Sequence, residues 1–531
     1  MKMKKYLRNH PQATLLNILW LIVNTLLNTV TAVLFTFSTN AIFEKNLSKL
    51  FFWLGINLLT WLVVMVSEYF QDVSQEKLIQ RLLVDLRADV STQIAQSDIN
   101  QFHQKNVGQY ISHYINDAEI IENHSFHNFF GLVGDVAAVV FAAITLAMYH
   151  YLLLLTAVVL AVVMLVLPKQ FRKRLSVATA NLSQANGAFS NQITNLLNGF
   201  NVFFNANKLR LLPQRVGLAA ESYGANKVAY TRVEDQVDTG INLISLICQM
   251  LVDVVTSVLA ILGQIPLGAI SSTGSIAASI FNGLKHLSKE QVQLRATEPL
   301  IQELQPAPKY AETSATSFSF QDKIAASHLS YQLAGQQIIT NLNFVIKKSE
   351  KVAIVGHSGS GKSTLLKILN GQLKDYQGSV QIDGHELNSL SSQQISQISQ
   401  YVDQDNYLFN DSITNNVTIW EAEPNRDQVA QSLSFAGVDF VDNCDMVISE
   451  NGRNFSGGQQ QRLALARSFF GPRAIACLDE VTSALDVKTA QAIDQRLLAD
   501  SELTVVEVTH HLNPALADQY SQVISLDKEK I

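Results

Sequence analysis

Charged residues are scarce in this sequence. Only 16% of its 531 residues are Asp, Glu, Lys or Arg, whereas an ordinary soluble protein has about 25%. Hydrophobic residues make up 47% and the formal net charge is −6. This composition excludes a disordered chain and provides no basic surface for a nucleic-acid backbone. The length predicts about two to four domains with buried cores.

Cysteine is also scarce. The three cysteines, Cys248, Cys444 and Cys477, lie far apart and match no metal-ligand spacing. This usage indicates free thiols in a reducing compartment and excludes a disulfide-bonded secreted domain.

Charge is missing altogether from long stretches of the N-terminal half. Residues 11–43, 51–67 and 136–168 have no charge, and residues 240–284 contain only Asp253. Because about 20 apolar residues cross a bilayer as a helix, the first two stretches predict one span each. The third predicts two spans if its first helix begins near Phe126 and turns near His150. The fourth predicts two spans separated by residues 263–266, so we predict six spans in all.

Basic residues flank these spans on one side of the membrane. Lys2, Lys4, Lys5 and Arg8 precede the first span, and Lys169, Arg172, Lys173 and Arg174 follow the fourth. Both flanks are therefore predicted to face the cytoplasm. The first apolar run is much longer than the core of a signal peptide, so we interpret it as a retained span. The internal loops, at about residues 71–125 and 171–235, have helical patterns and would project into the cytoplasm.

The composition changes after the last span. A Gln-Pro-Ala-Pro segment and a Ser/Thr-rich run predict a linker at residues 305–318. Beyond it, short apolar runs at residues 352–355, 475–478 and 503–508 alternate with helical patterns. This alternation is typical of an α/β domain with buried parallel strands. The predicted organisation is an all-α membrane domain at residues 1–304, the linker, and an α/β domain at residues 319–531.

The α/β domain contains a glycine-rich loop of the form G-x-x-x-x-G-K-[ST]. The loop consists of Gly356, His357, Ser358, Gly359, Ser360, Gly361, Lys362, Ser363 and Thr364. It follows a predicted strand and opens a predicted helix, so its backbone N–H groups can wrap the phosphates of a nucleotide. In this arrangement Lys362 reaches the β- and γ-phosphates and Ser363 binds Mg²⁺. A chance match in a flexible loop would not explain the strand–loop–helix context.

A second apolar strand ends in two acids. Residues 474–478 are apolar and lead into Asp479 and Glu480. At this distance after a phosphate loop, Asp479 is predicted at the Mg²⁺ site, and Glu480 as the general base that polarises the attacking water. The pattern alone also fits an acid that only caps the following helix.

The residues just before the acidic strand resemble a known family. The segment Phe455, Ser456, Gly457, Gly458 and Gln459 is similar to the LSGGQ signature of ATP-binding cassette (ABC) proteins. The resemblance implies a P-loop NTPase domain that docks head to tail with a second one. Each ATP, with its Mg²⁺, would then lie between the phosphate loop of one cassette and the signature of the other. Phe455 replaces the usual Leu, apolar for apolar, and Ser456 would face the γ-phosphate.

Further positions match the family in the same order along the chain. Tyr331 resembles the aromatic residue that stacks on adenine, although an aromatic packed in the core is the alternative. Gln404 resembles the glutamine that contacts Mg²⁺ and senses the membrane domain. Asp486 lies in a segment that resembles the loop joining the two nucleotide sites. His510 resembles the switch histidine at the γ-phosphate, with His511 as a one-residue alternative.

The membrane half resembles that of ABC exporters. Residues 108–117 and 198–211 look like cytoplasmic loops whose short coupling helices dock on the cassettes, one of them on the partner's. A six-span membrane domain fused ahead of one cassette is the layout of a half-transporter, which works as a dimer. Because Glu480 and the signature are both intact, a homodimer is favoured, and a heterodimer with two working sites remains open.

The resemblance therefore implies an ATP-driven exporter of a drug, peptide, lipid or small metabolite. We expect it in a bacterial cell membrane, since the sequence shows no targeting segment, with the cassette in the cytoplasm. An importer of the same fold and an ATP-gated channel or sensor are the alternatives. A peptide exporter with built-in processing would need a peptidase domain before the first span, and only about ten residues precede that span.

Polar residues within the spans are candidates for cargo contact. One face of the first helix carries Asn17, Asn24, Asn28 and Thr31. This stripe predicts either a cavity lining or hydrogen bonds between helices. Asp253 lies deep in the fifth span, where an acid is costly and is therefore a candidate functional residue. His124 and His127 have i, i+3 spacing, but no third metal ligand is evident from the sequence.

Overall fold

Two units make up the structure, a computed structural model of the chain. It describes residues 3–97, 99–166, 172–305, 318–333, 335–403, 407–441, 443–471, 473–483, 485–509 and 516–527. The first unit comprises Met1–Ser97 and Lys105–Ala307, and the second comprises Asp98–Gln104 and Pro308–Ile531. Most of the predicted linker lies outside the described residues.

The N-terminal part of the chain is helical. Its helices are α1 (Lys4–Asn9), α2 (Pro11–Phe43), α3 (Leu47–Gln96), α4 (Ile99–Gln104), α5 (Val107–Ser112), α6 (Ala118–Ile121), α7 (Asn128–Tyr149), α8 (Tyr151–Val166), α9 (Arg172–Asn198), α10 (Phe200–Asn205), α11 (Leu211–Ile261) and α12 (Ile270–Glu303). Two π-helices, His113–Asp117 and Glu122–His127, flank α6, so the chain from α5 to α7 is continuously helical. Local signals fix the ends: Pro11 opens α2, and Asn46 caps α3 by accepting the Lys49 N–H at 3.0 Å.

Four helices of the described chain are long and apolar enough to cross a membrane. They are α2, α3, the continuous helix Val107–Tyr149, and α11. Helix α8 is apolar but shorter in its described part. Helix α12, which carries the predicted sixth span, falls below this apolar level because Ser, Gly and charged residues interrupt it. The membrane domain is thus helical, and the count of six spans stays a prediction.

The two predicted breaks between neighbouring spans are present. Helix α7 ends at Tyr149, His150 is extended, and α8 begins at Tyr151. Helices α11 and α12 are separated by residues 262–269. In this second connection, the Gly268 N–H donates to Asn40 Oδ1 of α2 at 2.7 Å. The close approach leaves no room for a side chain, since a Cβ on Gly268 would lie 2.1 Å from the Thr36 carbonyl oxygen.

The second unit contains two sheets. Its strands are β1 (Lys323–Leu333), β2 (Gln336–Lys347), β3 (Lys351–Val355), β4 (Gln377–Ile382), β5 (His385–Glu386), β6 (Ser399–Val402), β7 (Ile475–Asp479), β8 (Thr504–Val508) and β9 (Gln522–Ser525). One sheet is antiparallel with the order β2-β1-β4-β5, and the other is parallel with the order β6-β7-β8-β3-β9. The sequence predicted β3, β7 and β8 as buried parallel strands, and this is confirmed. It did not predict the antiparallel sheet.

The same unit contains several helices, some packed on the parallel sheet and others on neighbouring helices. They are α13 (Lys362–Leu369), α14 (Ser392–Ile398), α15 (Ile413–Thr418), α16 (Arg426–Phe435), α17 (Gly457–Ser468) and α18 (Val487–Ala499). One apolar cluster joins β3 to α13 through Ile354 and Leu365, and another joins β7 to α17 through Leu478 and Leu465. Strands β7 and β8 are buried throughout, which explains their near-continuous apolar sequences.

Replacing Gly268 by Ala tests the packing of the α11–α12 connection against α2. The new methyl group would collide with the backbone of α2, so we expect a lower melting temperature of the purified full-length chain. The matched control is Gly240→Ala in α11, where a Cβ meets no atom within 4 Å. Equal melting temperatures for the two variants would contradict the close approach.

Candidate nucleotide-binding site

The phosphate loop connects β3 to α13. Lys362, the first residue of α13, is 6% exposed. Its Nζ donates to the carbonyl oxygens of Gly356 at 2.9 Å and His357 at 3.1 Å. An ammonium group has three donors, so these bonds fix the group within the loop and leave one donor for a phosphate oxygen. Ser363 follows it, exposed in the first turn of α13.

The loop also meets the steric and polar requirements of a phosphate site. Gly361 precedes α13 with φ +98°, and a Cβ there would lie 2.8 Å from Ile338 Cγ2. Both the left-handed backbone and the lack of space therefore demand glycine. The Ser360 Oγ is buried and has no hydrogen-bond partner within the described part of the chain. A buried hydroxyl without a partner is costly, and a phosphate oxygen would satisfy it.

Sheet register brings the phosphate loop and the two acids to one edge. Val508 of β8 pairs with Ile354 of β3 on one side and with Asp479 of β7 on the other. Adjacent strands are about 4.8 Å apart, so Ile354 and Asp479 are separated by roughly 10 Å. All three strands run parallel, and their carboxyl ends meet at this edge. The residues that follow β3 and β7 can therefore act on one nucleotide.

The two acids differ in their surroundings. Asp479 is 4% exposed and accepts a hydrogen bond from the Tyr401 hydroxyl at 3.1 Å. Glu480 has φ +52°, a left-handed conformation that costs a non-glycine residue about 1–2 kcal/mol. Its N–H donates to the Val508 carbonyl at 3.2 Å, and its carbonyl accepts from the Ser483 N–H at 3.1 Å and from Gln461 Nε2 at 3.4 Å. Strained residues of this kind cluster at functional sites.

The predicted signature forms the start of α17. Ser456 is the N-cap: its Oγ accepts the Gln459 N–H at 3.3 Å, and Gln459 Oε1 accepts the Ser456 N–H at 2.8 Å. The Ser456 hydroxyl is only an acceptor in this cap, so its own proton is available for a ligand. Phe455 is 9% exposed and packs edge to face with Phe440, with ring centroids 5.8 Å apart. Gly457 is exposed, so the helix N-terminus is open to a ligand.

Tyr331, Asp486, Gln404 and His510 are the remaining predicted positions. Tyr331 on β1 is 8% exposed and packs in an apolar core, which is the alternative that its sequence context left open. Adenine stacking by Tyr331 stays a prediction. Asp486 caps α18 by accepting the Thr489 N–H at 3.1 Å. A hydrogen bond from the Thr489 side chain, together with this backbone bond, lowers the pKa of the Asp486 carboxyl group. Gln404 and His510 lie outside the described residues.

The structure adds residues that sequence reasoning missed. Asp527, after β9, accepts two hydrogen bonds from His357, one from the backbone N–H and one from Nδ1, both at 2.8 Å. These bonds lower the pKa of Asp527 and fix the second residue of the phosphate loop. Tyr401 positions Asp479 from the neighbouring strand, β6. No motif marks Asp527 or Tyr401, because each is brought to the site only by the sheet order.

A second pair of acids lies behind the site. Glu507 of β8 is 3% exposed and accepts a 2.6 Å hydrogen bond from the Tyr520 hydroxyl. Burial, with a contribution from the nearby Asp494, raises the pKa of Glu507 to about 7. Burial also raises the pKa of Asp494 to about 6, partly offset by a hydrogen bond from Thr482. Thr482 is two residues after Glu480, so this pair adjoins the segment that follows the acidic strand.

In the first unit, the polar stripe of α2 is largely engaged with α3. Asn24 Nδ2 donates to Gln71 Oε1 at 2.7 Å, and Asn28 Nδ2 donates to Glu68 Oε1 at 2.9 Å. These bonds favour the interhelical interpretation of the stripe. Asn28 also lines a cavity of about 270 Å³, together with Thr25, Thr29, Thr31, Ser275 and Ser279. The stripe therefore serves helix packing and also borders a cavity whose wall combines these hydroxyl groups with apolar residues such as Phe35, Trp61 and Ile276.

Comparisons with known proteins agree with this geometry. A family model described as "ABC transporter transmembrane region" matches residues 14–284, and one described as "ABC transporter" matches residues 339–483. The lactococcin-A transport/processing ATP-binding protein LcnC of Lactococcus lactis is 26% identical over 492 residues, which cover 89% of this chain and 67% of the relative. The ATP-dependent lipid A-core flippase of Vibrio cholerae is 25% identical over 468 residues, covering 85% and 79%. A solved structure of a bacterial Atm1-family ABC exporter with ATP bound has a TM-score of 0.81 at 17% identity, covering 99% of this chain and 95% of that one.

The buried acids predict how the stability of the protein depends on pH. Folding raises the pKa of Glu507 from its ordinary value of 4.5 to about 7. The folded chain therefore holds a proton that the unfolded chain releases, and the stabilisation is complete below about pH 4.5 and lost as the pH rises through 7. The loss is on the order of 3 kcal/mol for Glu507. Glu507→Gln cannot ionise, so its melting temperature should fall less than that of the parent between pH 5 and pH 8.

The matched control for this experiment is Glu502→Gln, which changes an exposed acid in the same part of the chain. It should keep the parent's dependence on pH. Identical pH profiles for Glu507→Gln and the parent would show that Glu507 is not protonated in the folded protein.

Proposed function

The chain belongs to the ABC transporter family, and on this basis we propose that it exports its substrate as a dimer of two such chains. It is an ATPase coupled to transport across a membrane. The observation that supports the catalytic part most directly is the shared edge of β3, β8 and β7. It brings the phosphate loop, Asp479 and Glu480 within reach of one nucleotide.

In this proposal, the phosphate loop binds the phosphates of ATP. The N–H groups at the start of α13 and the Lys362 ammonium neutralise the β- and γ-phosphates. Ser363, Asp479 and Gln404 would hold Mg²⁺, since carboxylate, amide and hydroxyl oxygens are the ligands it prefers. When bound, Mg²⁺ adds positive charge at the phosphoryl oxygens as the γ-phosphate leaves. Lys362 and the loop are fixed before ATP arrives, so little reorganisation is needed.

Glu480 is the proposed general base. Hydrogen bonds with Val508 and Gln461 hold its backbone in a strained conformation just after the end of β7. There it would orient and polarise the water that attacks the γ-phosphate. His510, two residues beyond the end of β8, would contact the γ-phosphate from the same edge.

The second half of each site would come from the partner chain. The proton of the Ser456 hydroxyl is not used in the helix cap, and the N-terminus of α17 is open to a ligand. Both could therefore bind the γ-phosphate of an ATP molecule held by the other chain. Closure of two cassettes around two ATP molecules would turn the membrane domains outward, and hydrolysis would reset them. A homodimer needs no further chain, because this chain carries both Glu480 and the signature.

The chemical class of the cargo is inferred from the names of the relatives. The names of two relatives describe transport of lactococcin and flipping of lipid A-core, so a peptide or a lipid is the cargo class we propose. The cavity beside α2, which is lined by hydroxyl and apolar side chains, and Asp253 of α11 are the candidate contacts. A carboxylate oxygen of Asp253 has no hydrogen-bond partner in the described chain, and a Cβ on Gly274 would lie 3.0 Å from it.

Glu480→Gln tests the catalytic assignment. Losing the general base should lower Mg²⁺-dependent ATPase activity of the full-length chain in lipid roughly 100-fold or more. ATP binding should persist, because the phosphate loop is untouched. The control is Glu421→Gln, which changes an exposed acid of the same unit. Near-normal hydrolysis by Glu480→Gln would remove Glu480 from the mechanism.

A cysteine pair tests the head-to-tail dimer. Ser358 of the phosphate loop and Gly457 of the signature are both exposed, and the proposal places each beside the other in the partner chain. In a Glu480→Gln background with Cys444 changed to Ser, Ser358→Cys combined with Gly457→Cys should give a disulfide-linked dimer when ATP is added. Each single cysteine variant is the control and should stay monomeric on a non-reducing gel. A cross-link that forms equally with the single variants, or none with the pair, would contradict this arrangement.

A further inference from the structure

A group of potential metal ligands lies in the first unit, whereas the nucleotide site belongs to the second. It consists of Glu76 on α3 with Glu122 and His127 on the second π-helix. One ligand atom from each residue lies within 4.8 Å of the other two. His127 Nε2 and Glu76 Oε2 are closest to contact, at 3.5 Å. An imidazole nitrogen and two carboxylate oxygens thus converge from two separate segments of the chain.

The π-helix creates this convergence. Glu122 and His127 are the first and last residues of the π-helix Glu122–His127. A π-helix, in which residue i bonds to i+5, has more residues in each turn than an α-helix, so side chains five residues apart lie closer to one face. In an α-helix with 3.6 residues per turn they would point about 140° apart. Single π-turns inside longer helices are frequent at functional sites.

Gln80 shows how closely the two carboxylates converge. It is one turn beyond Glu76 on α3, and its Nε2 donates to Glu76 Oε1 and to Glu122 Oε1, both at 2.7 Å. The single amide N–H₂ group therefore lies between two like charges, which repel one another without a donor or a cation between them. If the side-chain amide of Gln80 were flipped, its oxygen would take the position of Nε2 between the two carboxylates and could add a ligand.

The group is accessible from water. Helix α7, which follows the π-helix, has 22 residues, or about 33 Å at 1.5 Å per residue. This length already exceeds the hydrocarbon core of a bilayer, about 30 Å. The group therefore lies beyond the end of the span, opposite the turn at His150. Its side chains are partly exposed, 47% for Glu76 and 39% for His127, so an ion can enter.

We propose that Glu76, Glu122 and His127 bind a divalent transition-metal ion such as Zn²⁺. One nitrogen and two oxygen ligands, with water in the remaining position, suit Zn²⁺. Ca²⁺ and Mg²⁺ prefer six or more oxygen ligands. The bound ion would link α3 to the helix that continues into α7, and would restrain their relative motion at the cytoplasmic side predicted by the flanking charges.

Zinc titration of the full-length chain, stripped of metal and free of nucleotide, Mg²⁺ and affinity tag, tests this proposal. The parent should bind one Zn²⁺ per chain by isothermal calorimetry. Glu122→Gln and His127→Gln should each weaken binding roughly tenfold or more. The matched control is His124→Gln, which removes the histidine of the same π-helix that is outside the group, and it should bind Zn²⁺ like the parent.

A replacement ligand separates binding from folding. Glu122→Cys should retain Zn²⁺ binding and, with Co²⁺ as the probe, give a thiolate-to-cobalt charge-transfer band that the parent lacks. Absence of Zn²⁺ binding by the parent would overturn the proposal. So would equal binding by the parent, Glu122→Gln and His127→Gln, or the lack of the Co²⁺ band in a Glu122→Cys protein with the parent's circular dichroism.

Discussion

The pairing of β8 with a strand on each side is the constraint on which the nucleotide site depends. Val508 fixes Ile354 and Asp479 in one row, so the phosphate loop and the acids begin at the same level of the sheet. The carbonyl oxygen of Val508 also accepts a hydrogen bond from the backbone N–H of Glu480. A slip of one residue in the β7–β8 ladder would turn Asp479 to the opposite face of the sheet, and a slip in the β3–β8 ladder would shift the phosphate loop relative to the acids.

The nucleotide-binding unit buries an acidic side chain within its parallel sheet. Strand β8 is wholly buried, yet it carries Glu507 in a position where its neighbours are apolar. Tyr520 satisfies one oxygen of Glu507, and protonation reduces the cost of burying the rest. Asp494 shares this environment and accepts a hydrogen bond from Thr482, which is two residues after Glu480, the proposed general base. The protonation of this pair is therefore coupled to the packing of the segment that holds Glu480.

In the helical unit, polar groups serve mainly to join helices. The stripe on α2 bonds to α3, Thr36 bonds to Ser272 of α12 at 2.7 Å, and Gly268 brings the α11–α12 connection against α2. Within an apolar medium, small residues and side-chain hydrogen bonds are what allow helices to pack closely. Outside the apolar region, the side chains of Glu76, Glu122 and His127 bring α3 close to the second π-helix.

The sequence by itself determined the helical membrane half, the parallel strands β3, β7 and β8, and the identities of the phosphate loop, the acidic strand and the signature. These features are local: each depends on an apolar run, a charge-free stretch or a spacing within about ten residues. Only the tertiary structure decided the roles of Asp527 and Tyr401, the burial of Tyr331, and the convergence of Glu76 with Glu122 and His127. The sequence showed no third metal ligand beside His124 and His127, because Glu76 is distant in sequence and the chain at Glu122–His127 forms a π-helix, not an α-helix. Contacts of this kind depend on strand order and helix geometry, which no single stretch of sequence contains.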